Sequence, residues 1–543
     1  MTARDGCPTF AGNGRSLVPG CNCRPRQATA KGNRGTVIPG EMLQRLWLEF
    51  SRAAVLESLP MSLLFSRSKA LIVLFLLLFF GFAGANPAAA GDAPNLITIV
   101  TDDQARWAMG LYGNQEIRTP NMDRIGREGI NFTNAFVATP VCSPSRATYL
   151  TGLWPSQHAI REVILVPDEA AGVGLRSPTW AEVLQQNGYR TALIGKWHLG
   201  GGPKFHPTRH GFHEFVGFTS GASQPRDPEL EINGEIVRSE GFLTEILTDH
   251  AIAFIKANRN RPFALSLHYR APHLPYGPVP NENAVYYQGL DPTIPDLPGL
   301  DREQVKQWTR EYYASISSVD RNIGRLLNVV DELELSHNTI VLFTSDNGYN
   351  LGFHYLSTKG NGSWIAGGAT GPIRPNMFDT SIRVPLVIRW PAVIKPGSES
   401  EELISQIDIF RTILGALQIE LPEEAEPEGV DFSPLFWGKQ VSIREVLFGQ
   451  YDMHQAALSN MRMIRTRRYK LVRHLGTHYL DEFYDLESDP NELNNLIRNP
   501  EYLDRILEMN DQLTRWRERI GDNLADRNPL WFLDRSKGRG ADH

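Results

Sequence analysis

Cys142 is the residue whose type and setting point most clearly to chemistry. It opens the run Cys-Ser-Pro-Ser-Arg at 142–146, and Thr-Gly follows at 151–152. The other three cysteines, at positions 7, 21 and 23, precede a segment that reads as an export signal. A lone thiol in an exported protein forms no intramolecular disulfide, so it is either a buried filler or chemically used. The neighbouring residues favour chemical use.

The residues after Cys142 predict the N-terminus of a helix. Ser143 fits the N-cap, Pro144 fits the first helical position, and Gly152 would end the helix. Cys142 would then precede free backbone N–H groups and a helix dipole, which attract an anion. Arg146 adds a fixed positive charge. A cysteine that only packs in a capping loop is the alternative interpretation.

Carboxylate and amide side chains form two clusters, Asp102-Asp103 and Asp346-Asn347. They offer hard oxygen ligands and neither thiolate nor imidazole, which suits Ca²⁺ or Mg²⁺ better than zinc or copper. Helix caps or solvated loops are the alternative. Two acidic clusters at one sheet edge require a counter-charge, however, and a divalent cation would supply it.

Four basic or titratable residues complete the candidate set: Lys196, His198, His273 and Lys359. Each alone is more often structural or solvated than functional. Together these four side chains would line the side of the site opposite the metal with positive charge and with groups that exchange protons. Such a lining suits an ester of a tetrahedral oxyacid.

The elements that must position these residues alternate between strand and helix patterns. Apolar, β-branched runs that end abruptly in polar residues predict buried strands at 95–101, 189–195, 263–268 and 339–344. Helical periodicity at 243–255 and 308–333 separates them. We therefore predict an α/β fold, with a large domain whose mostly parallel sheet is sandwiched by helices. The ligand crevice of such a sheet lies beyond the carboxyl ends of its strands, where all the polar clusters fall.

A smaller C-terminal α+β domain with a short antiparallel sheet is predicted after about Gly429. Residues 461–474 resemble a strand pair, and residues 483–486 a further strand. Residues 502–520 form an amphipathic pattern whose predicted inward positions are Leu503, Ile506, Leu507, Leu513 and Trp516.

The N-terminus predicts export. Residues 61–69 are basic, residues 70–84 are apolar, and small-residue cleavage candidates follow, so 61–90 reads as a signal peptide. An uncleaved anchor is the alternative. Residues 1–60 read as a non-native or disordered extension. We expect a periplasmic or extracellular protein that uses the export machinery. A formal net charge of −6 argues against nucleic acid as a partner.

The chain resembles the type I sulfatases of the alkaline phosphatase superfamily. The run at 142–152 is similar to the family signature, and Gly-Lys-Trp-His-Leu-Gly at 195–200 to a second one. Ala-Pro-His at 271–273, Ser-Asp-Asn-Gly at 345–348, Lys-Gly at 359–360 and Arg-Val-Pro at 383–385 complete the series. The resemblance covers about 95–496. It implies a sulfatase catalytic domain over 91–428 and a packed C-terminal subdomain over 429–543.

The resemblance also implies a modified nucleophile. A separate maturation enzyme would oxidise Cys142 to formylglycine (3-oxoalanine), whose aldehyde hydrates to a geminal diol. One hydroxyl would attack sulfur and expel the alcohol. The other would then collapse to the aldehyde and eject sulfate, whereas a serine would be left as a stable sulfate ester.

The family roles carry over position by position. One Ca²⁺ would be held by Asp102, Asp103, Cys142, Asp346 and Asn347. Arg146 would stabilise the formylglycine, and Lys196 and Lys359 would neutralise sulfate charge.

Two histidines would handle protons, His273 at the leaving alcohol and His198 in the second step. One departure is a Gly-rich insertion at 367–371 in a segment that lacks the family's frequent Glu. His354, nearby, either reaches the pocket or is solvent-exposed.

The resemblance thus implies an exported, calcium-dependent sulfatase acting on sulfated saccharides or small aryl sulfates. One alternative is a phosphonate or phosphate monoester hydrolase of the same superfamily. The other is a non-catalytic protein that binds sulfated glycans.

Overall fold

The computed structural model describes residues 93–165, 175, 177–366, 371–477 and 479–524. The predicted extension at 1–60 and the predicted signal peptide at 61–90 lie outside these residues. Within the described ranges, no helix combines the length and the hydrophobicity that crossing a membrane requires.

Strands and helices alternate along the first two thirds of the described chain. The strands are β1 (Asn95–Asp102), β2 (Ile130–Phe136), β3 (Arg190–Lys196), β4 (Glu214–Phe218), β5 (Glu229–Ile232), β6 (Glu235–Arg238), β7 (Phe263–Pro272), β8 (Thr339–Ser345), β9 (Leu386–Arg389), β10 (Ser398–Ser405), β11 (Leu447–Met453), β12 (Ser459–Arg465), β13 (Tyr469–His474) and β14 (Glu482–Asp485). The α-helices are α1 (Pro120–Arg127), α2 (Cys142–Thr151), α3 (Pro155–His158), α4 (Trp180–Gln186), α5 (Leu243–Asn258), α6 (Asn281–Ala284), α7 (Arg302–Glu332), α8 (Asp379–Ile382), α9 (Ile409–Leu417) and α10 (Leu503–Arg519).

Ten strands form one large sheet in the order β10-β2-β9-β8-β1-β7-β3-β4-β5-β6. Its centre, β8-β1-β7-β3-β4, is entirely parallel. The four predicted strands are the four neighbours β8, β1, β7 and β3, so their carboxyl ends share one edge. The predicted α/β class with a mostly parallel sheet is confirmed.

Both faces of the sheet are buried, because alternate residues of a strand point to opposite sides. In β1, Ile97 and Ile99 join the core beneath α5 and α7. Leu96 and Val100 join the opposite core, which α2, α4 and α9 cover. Helices therefore sandwich the sheet, as the strand–helix alternation predicts.

The predicted C-terminal antiparallel sheet is also present, in the order β11-β12-β13-β14. One face packs on α10 through side chains such as Ile464 and Trp516. The other face, with Met461 and Met463, packs against Val141, the residue before Cys142. The boundary at 428/429 stays a prediction.

One predicted position on α10 is wrong. Leu507 is 43% exposed, whereas Leu503, Ile506, Leu513 and Trp516 are buried. Burial at 503, 506, 513 and 516 leaves position 507 at the edge of the apolar face, where the helix meets water.

Candidate functional site

The carboxyl ends of the four central strands bring the predicted residues together. Asp102 ends β1, Lys196 ends β3, His273 follows β7, and Asp346 follows β8. The register aligns Asp102 with Pro272 of β7 and Thr101 with Ser345 of β8. Residues far apart in sequence therefore meet because parallel strands end at the same edge.

Helix α2 carries the candidate nucleophile. It begins at Cys142 itself, with Val141 as N-cap, so the predicted Ser143 N-cap and Pro144 first position are wrong. The Ser143 hydroxyl instead accepts a hydrogen bond from the Ile164 N–H at 3.1 Å. Gly152 ends the helix at φ 66°, as predicted. Cys142 therefore lies within the first helical turn, beside the free N–H groups that attract an anion.

The Cys142 thiol faces both charge types of the site. Its Sγ lies 3.5 Å from Asp102 Oδ1 and accepts a hydrogen bond from Lys359 Nζ at 2.9 Å. Burial raises the pKa of the Cys142 thiol to about 12, against the lowering effect of Lys196 and Lys359. An unmodified thiol here is therefore protonated at neutral pH and is a weak nucleophile.

Three carboxylates converge beside Cys142. Asp102, Asp103 and Asp346 each present an oxygen within 4.8 Å of the others, and Asp102 and Cys142 form a second such group with His273. Asn347 Nδ2 donates to Asp103 Oδ1 at 2.7 Å, while its buried Oδ1 has no hydrogen-bond partner among the described residues. A buried acceptor without a donor is costly. An oxygen-preferring cation fits this set, since it would take the Asn347 oxygen and the carboxylates together.

Electrostatics at the carboxylates agrees with a cation site. Burial and the charge of Asp102 together raise the pKa of Asp346 to about 6, against the lowering effect of Arg146. Burial would also raise the pKa of Asp102, but Lys196 and His273 hold it well below its usual value. Two buried carboxylates thus repel each other, and a divalent cation would offset that repulsion.

Each carboxylate has one buried cationic partner. Lys196 Nζ lies 2.6 Å from Asp102, Arg146 Nη2 lies 2.9 Å from Asp346, and Lys359 Nζ contacts Asp103. Three negative and three positive groups balance in this cluster. A bound divalent cation would make it positive, which suits an anionic substrate.

The two histidines occupy different environments. His273 is at the opening, with a side chain 25% exposed and Nε2 3.9 Å from Asp103 Oδ2. His198 is buried, its Nε2 donating to the Ile164 carbonyl at 2.8 Å, so its Nδ1 carries the free lone pair. That Nδ1 has no partner among the described residues. Burial and the charge of Lys196 hold the pKa of His198 well below its usual value, which keeps the ring neutral.

Sequence reasoning missed two supports of the site. His268 Nδ1 lies 3.3 Å from Arg146 Nη1, and burial with that guanidinium lowers the pKa of His268 to about 3. Gln406 Oε1 lies 2.8 Å from Ser145 Oγ on α2. His268 could have been noticed as the last residue of a predicted strand, whereas no local signal marks Gln406.

His354 is not solvent-exposed, which corrects that alternative. It is 8% exposed, and its ring stacks on Phe378 at 3.6 Å between centroids. The ring lines a separate cavity beyond Lys359. Residues 367–370 of the Gly-rich insertion lie outside the described residues.

Comparison with known families decides the identity. The family model described as "Sulfatase" matches residues 94–419, which include every predicted site residue. The chain belongs to the sulfatase family. A second model, "N-sulphoglucosamine sulphohydrolase, C-terminal", matches residues 374–519. This sulfatase is therefore an enzyme of the sulfuric ester hydrolase class.

Curated relatives agree with that assignment. The sulfatase is 28% identical over 519 residues to an N-acetylglucosamine-6-O-sulfatase of Bacteroides thetaiotaomicron, covering 80% of this chain and 88% of the relative. It is 30% identical over 421 residues to the N-acetylgalactosamine-6-sulfatase of Canis lupus familiaris, covering 70% and 75%. It is also 30% identical over 462 residues to the steryl-sulfatase of Homo sapiens, covering 69% and 74%.

Solved structures share the fold. The structure of BT4656 in complex with its substrate D-glucosamine-2-N,6-O-disulfate has a TM-score of 0.69 and 26% identity, covering 80% of this sulfatase and 100% of that chain. The crystal structure of the protein yidJ from Bacteroides fragilis has a TM-score of 0.68 and 26% identity, covering 81% of this sulfatase and 99% of that chain.

Proposed function

We propose that this sulfatase is an exported, calcium-dependent, formylglycine-using enzyme that hydrolyses sulfate esters of saccharides. The observation that carries the proposal is the position of Cys142 Sγ, between Lys359 Nζ at 2.9 Å and Asp102 Oδ1 at 3.5 Å. A residue placed between a cation and a carboxylate cluster can meet an anionic ester and a metal at once.

The proposal includes a calcium ion and conversion of Cys142 to formylglycine. Asp102, Asp103, Asp346 and Asn347 would hold the ion, because they offer converging oxygens and one buried oxygen to which no described residue donates. Bound there, Ca²⁺ would supply Lewis-acid polarisation of the ester. Formylglycine at position 142, made by a maturation enzyme, would supply a hydrated aldehyde as nucleophile.

The cations of the chain orient the substrate. Lys196 and Lys359 present ammonium groups that would neutralise the sulfate, whose charge grows on the leaving oxygen as the ester bond breaks. Arg146 pairs with Asp346 and donates to the Lys196 carbonyl at 3.1 Å. It therefore fixes helix α2 against β3, which holds position 142 in register with Lys196.

The two histidines divide the proton transfers. His273 lies at the opening, where a leaving alcohol departs, and an anionic substrate beside it would raise its affinity for a proton. His198 is buried and neutral with a free Nδ1 lone pair, so it would accept a proton in the second step. Because His198 is a buried proton acceptor and His273 a partly exposed proton donor, the two proton transfers would take place at separate positions.

Sulfated saccharides are the proposed substrates, with 6-O-sulfated amino sugars first. Two relatives above act on N-acetylhexosamine 6-sulfates by name, and the BT4656 structure holds a disulfated glucosamine. The steryl-sulfatase relative makes an aryl or steryl sulfate the competing substrate. Export through a signal at 61–90 would bring the enzyme to extracellular polysaccharide or its fragments.

Two measurements test the proposal. Mass spectrometry of the peptide around Cys142, from protein made with and without a formylglycine-generating enzyme, should find the aldehyde only in the first preparation. Sulfate release should then follow the aldehyde content and be faster from 6-O-sulfated N-acetylglucosamine than from an aryl sulfate.

Paired aryl sulfate and aryl phosphonate esters separate the alternatives. Faster turnover of the phosphonate would replace the sulfatase proposal with a phosphonate hydrolase. A natively produced enzyme with an unmodified thiol, and tight binding of sulfated glycan without turnover, would replace it with a binding protein.

A further inference from the structure

A second cavity lies beside the loop that carries Lys359. Its volume is about 360 Å³, large enough for a sugar unit. Tyr355, Trp364 and Arg374 form one wall, and the C-terminal residues Glu482 and Asn495 form the other. The two parts of the fold thus enclose a site that none of the catalytic residues occupies.

One loop connects the cavity to the catalytic site. Lys359 lies inside a loop closed by a bridge between Leu356 and Trp364. Asn376 Nδ2 donates to the carbonyl of Lys359 at 3.1 Å and to that of Arg374 at 3.3 Å. One amide thus ties the backbone of Arg374 to the residue whose Nζ contacts Cys142. The same loop therefore carries a group that contacts Cys142 and two residues that line the cavity.

Two aromatic side chains give the cavity a platform. The rings of Tyr355 and Trp364 stack with centroids 5.0 Å apart and planes 30° apart, and both are half-buried. Rigid aromatic faces provide apolar contact for the C–H surfaces of a sugar ring at low entropic cost.

Arg374 supplies a positive charge that the protein leaves available. Among the described residues its guanidinium forms no ion pair and no side-chain hydrogen bond, and the ring of Phe378 lies 5.4 Å from it. Glu482 lies across the cavity; burial would raise its pKa, but His474 and the charge of Arg374 hold that pKa below its ordinary value, and both its oxygens already have hydrogen-bond partners. His474 Nε2 lies 3.1 Å from Oε1, and Tyr484 donates to Oε2 at 2.9 Å.

The other carboxylate of the cavity is engaged in the same way. Glu492 Oε1 accepts from Lys470 Nζ at 2.5 Å, and Oε2 accepts from the Asp379 N–H at 2.6 Å. The planar fork of Arg374 remains as the group suited to bind a carboxylate or sulfate.

We propose that this cavity binds the saccharide unit next to the one that is desulfated, and that Arg374 holds a negatively charged substituent of that unit. The inference rests on the proposed function, since it assumes a sulfated saccharide as substrate. A carboxylate and a sulfate share the chemistry that Arg374 recognises.

The test compares three tetrasaccharides that carry the same 6-O-sulfated hexosamine. The neighbouring unit is a uronate in the first, a carboxyl-reduced uronate in the second, and a second sulfated hexosamine in the third. We expect wild-type kcat/KM to be at least about tenfold higher for the uronate or the disulfated tetrasaccharide than for the carboxyl-reduced one. A factor of that size corresponds to one charge-assisted hydrogen-bonded contact. Arg374→Met should reduce that ratio to near one, mainly through KM.

Two further variants sharpen the result. Arg498→Met removes an exposed arginine that does not line the cavity and should leave the ratio unchanged. Trp364→Ala should weaken all three tetrasaccharides alike, because it removes the platform and not the charge. The inference would be overturned if wild-type kcat/KM were the same for the charged and the carboxyl-reduced tetrasaccharides. It would also be overturned if Arg374→Met kept the wild-type ratio between these two values.

Calorimetric binding to Cys142→Ala separates this inference from the proposed function. If the wild type releases no sulfate from any saccharide, the proposed function fails. The calorimetric binding of the three tetrasaccharides then shows whether the cavity is a subsite. Tighter binding of the charged tetrasaccharides, lost in Cys142→Ala/Arg374→Met, supports the subsite. Equal binding of all three overturns it.

Discussion

Lys359 Nζ donates to Cys142 Sγ at 2.9 Å across 217 positions of sequence, and the same ammonium contacts Asp103. One buried cation therefore touches both the candidate nucleophile and the carboxylate cluster. Burial would lower the pKa of Lys359, but Asp103 and Cys142 raise it well above its usual value. The ammonium therefore stays charged at neutral pH.

Replacing Lys359 by methionine should separate substrate binding from metal binding. We expect kcat/KM for a sulfated saccharide to fall about 10²- to 10³-fold, because a buried cation opposite the sulfate is lost. Calcium affinity should not weaken, since Lys359 competes with the ion for Asp103. Steady-state kinetics and calcium titration calorimetry measure the two effects.

Lys395→Met provides the matched control, because Lys395 is exposed and lies outside the site. It should stay within about twofold of wild type, as surface substitutions usually do. A Lys359→Met enzyme with wild-type kinetics would mean that Lys359 holds Asp103 in place and does not act on sulfate.

The positions of Asp102, Lys196, His273 and Asp346 were predictable because strand ends carry their own signal. Each apolar run stops at a polar cluster, and parallel neighbours end at one edge. The start of α2 was not predictable from Ser143 and Pro144. Val141 adopts extended φ/ψ of −153° and 146°, so the helix begins two residues earlier than the Ser-Pro signal indicates.

Supports that come from distant segments leave no local pattern. Gln406 reaches Ser145 across 261 positions, and nothing around Gln406 differs from an ordinary loop. The prediction that Leu507 faces inward is wrong for a related reason. Periodicity predicts an apolar face on α10, but the width of that face depends on how the sheet β11–β14 meets it.

Asn347→Ala should weaken calcium binding, because it removes the buried oxygen that lacks a donor. We expect the dissociation constant to rise about tenfold. In the wild type, removal of calcium by chelation should lower the thermal midpoint. A ligand at 100 times its dissociation constant contributes about 2.7 kcal/mol to the free energy of unfolding. Thermal unfolding across a calcium series, after dialysis against chelator, measures both effects.

Asn260→Ala is the control for that series, since Asn260 is exposed on the turn after α5. It should keep the wild-type calcium dependence. Coincident melting curves with and without calcium in the wild type would contradict a metal site at Asp102, Asp103, Asp346 and Asn347.

Gly221→Ala tests the position of His198. An added Cβ at Gly221 would come 2.6 Å from His198 Nε2, so the ring must move away from the Ile164 carbonyl. We expect kcat to fall about tenfold or more, with little change in the far-UV circular dichroism spectrum. Gly202→Ala is the matched control, because its Cβ would meet Phe205 only at 3.7 Å. Equal kinetics for the two variants would show that the position of His198 does not affect turnover.

His158 should make the enzyme less stable in acid. It is fully buried below α2, where Nδ1 accepts the Ile160 N–H at 3.1 Å and the other ring nitrogen lies 3.1 Å from Thr148 Oγ1. Burial lowers the pKa of His158 to about 3, so the native ring stays neutral while the unfolded ring takes up a proton below its ordinary value of 6.5. The unfolded state then binds more protons, and the free energy of unfolding falls as pH drops below 6.5.

For one such group the loss is about 1.4 kcal/mol per pH unit. His158→Gln can still accept from Ile160 and donate to Thr148, but it does not titrate. The difference in unfolding free energy between wild type and His158→Gln should therefore be constant above pH 7 and shift by about 1.4 kcal/mol per unit between pH 6 and 4 in favour of the variant. Denaturant unfolding at saturating calcium, with the exposed His337→Gln as control, measures it. Parallel curves for wild type and His158→Gln across that range would mean that the native ring accepts a proton without cost, and that its hydrogen bond from Ile160 does not hold it neutral.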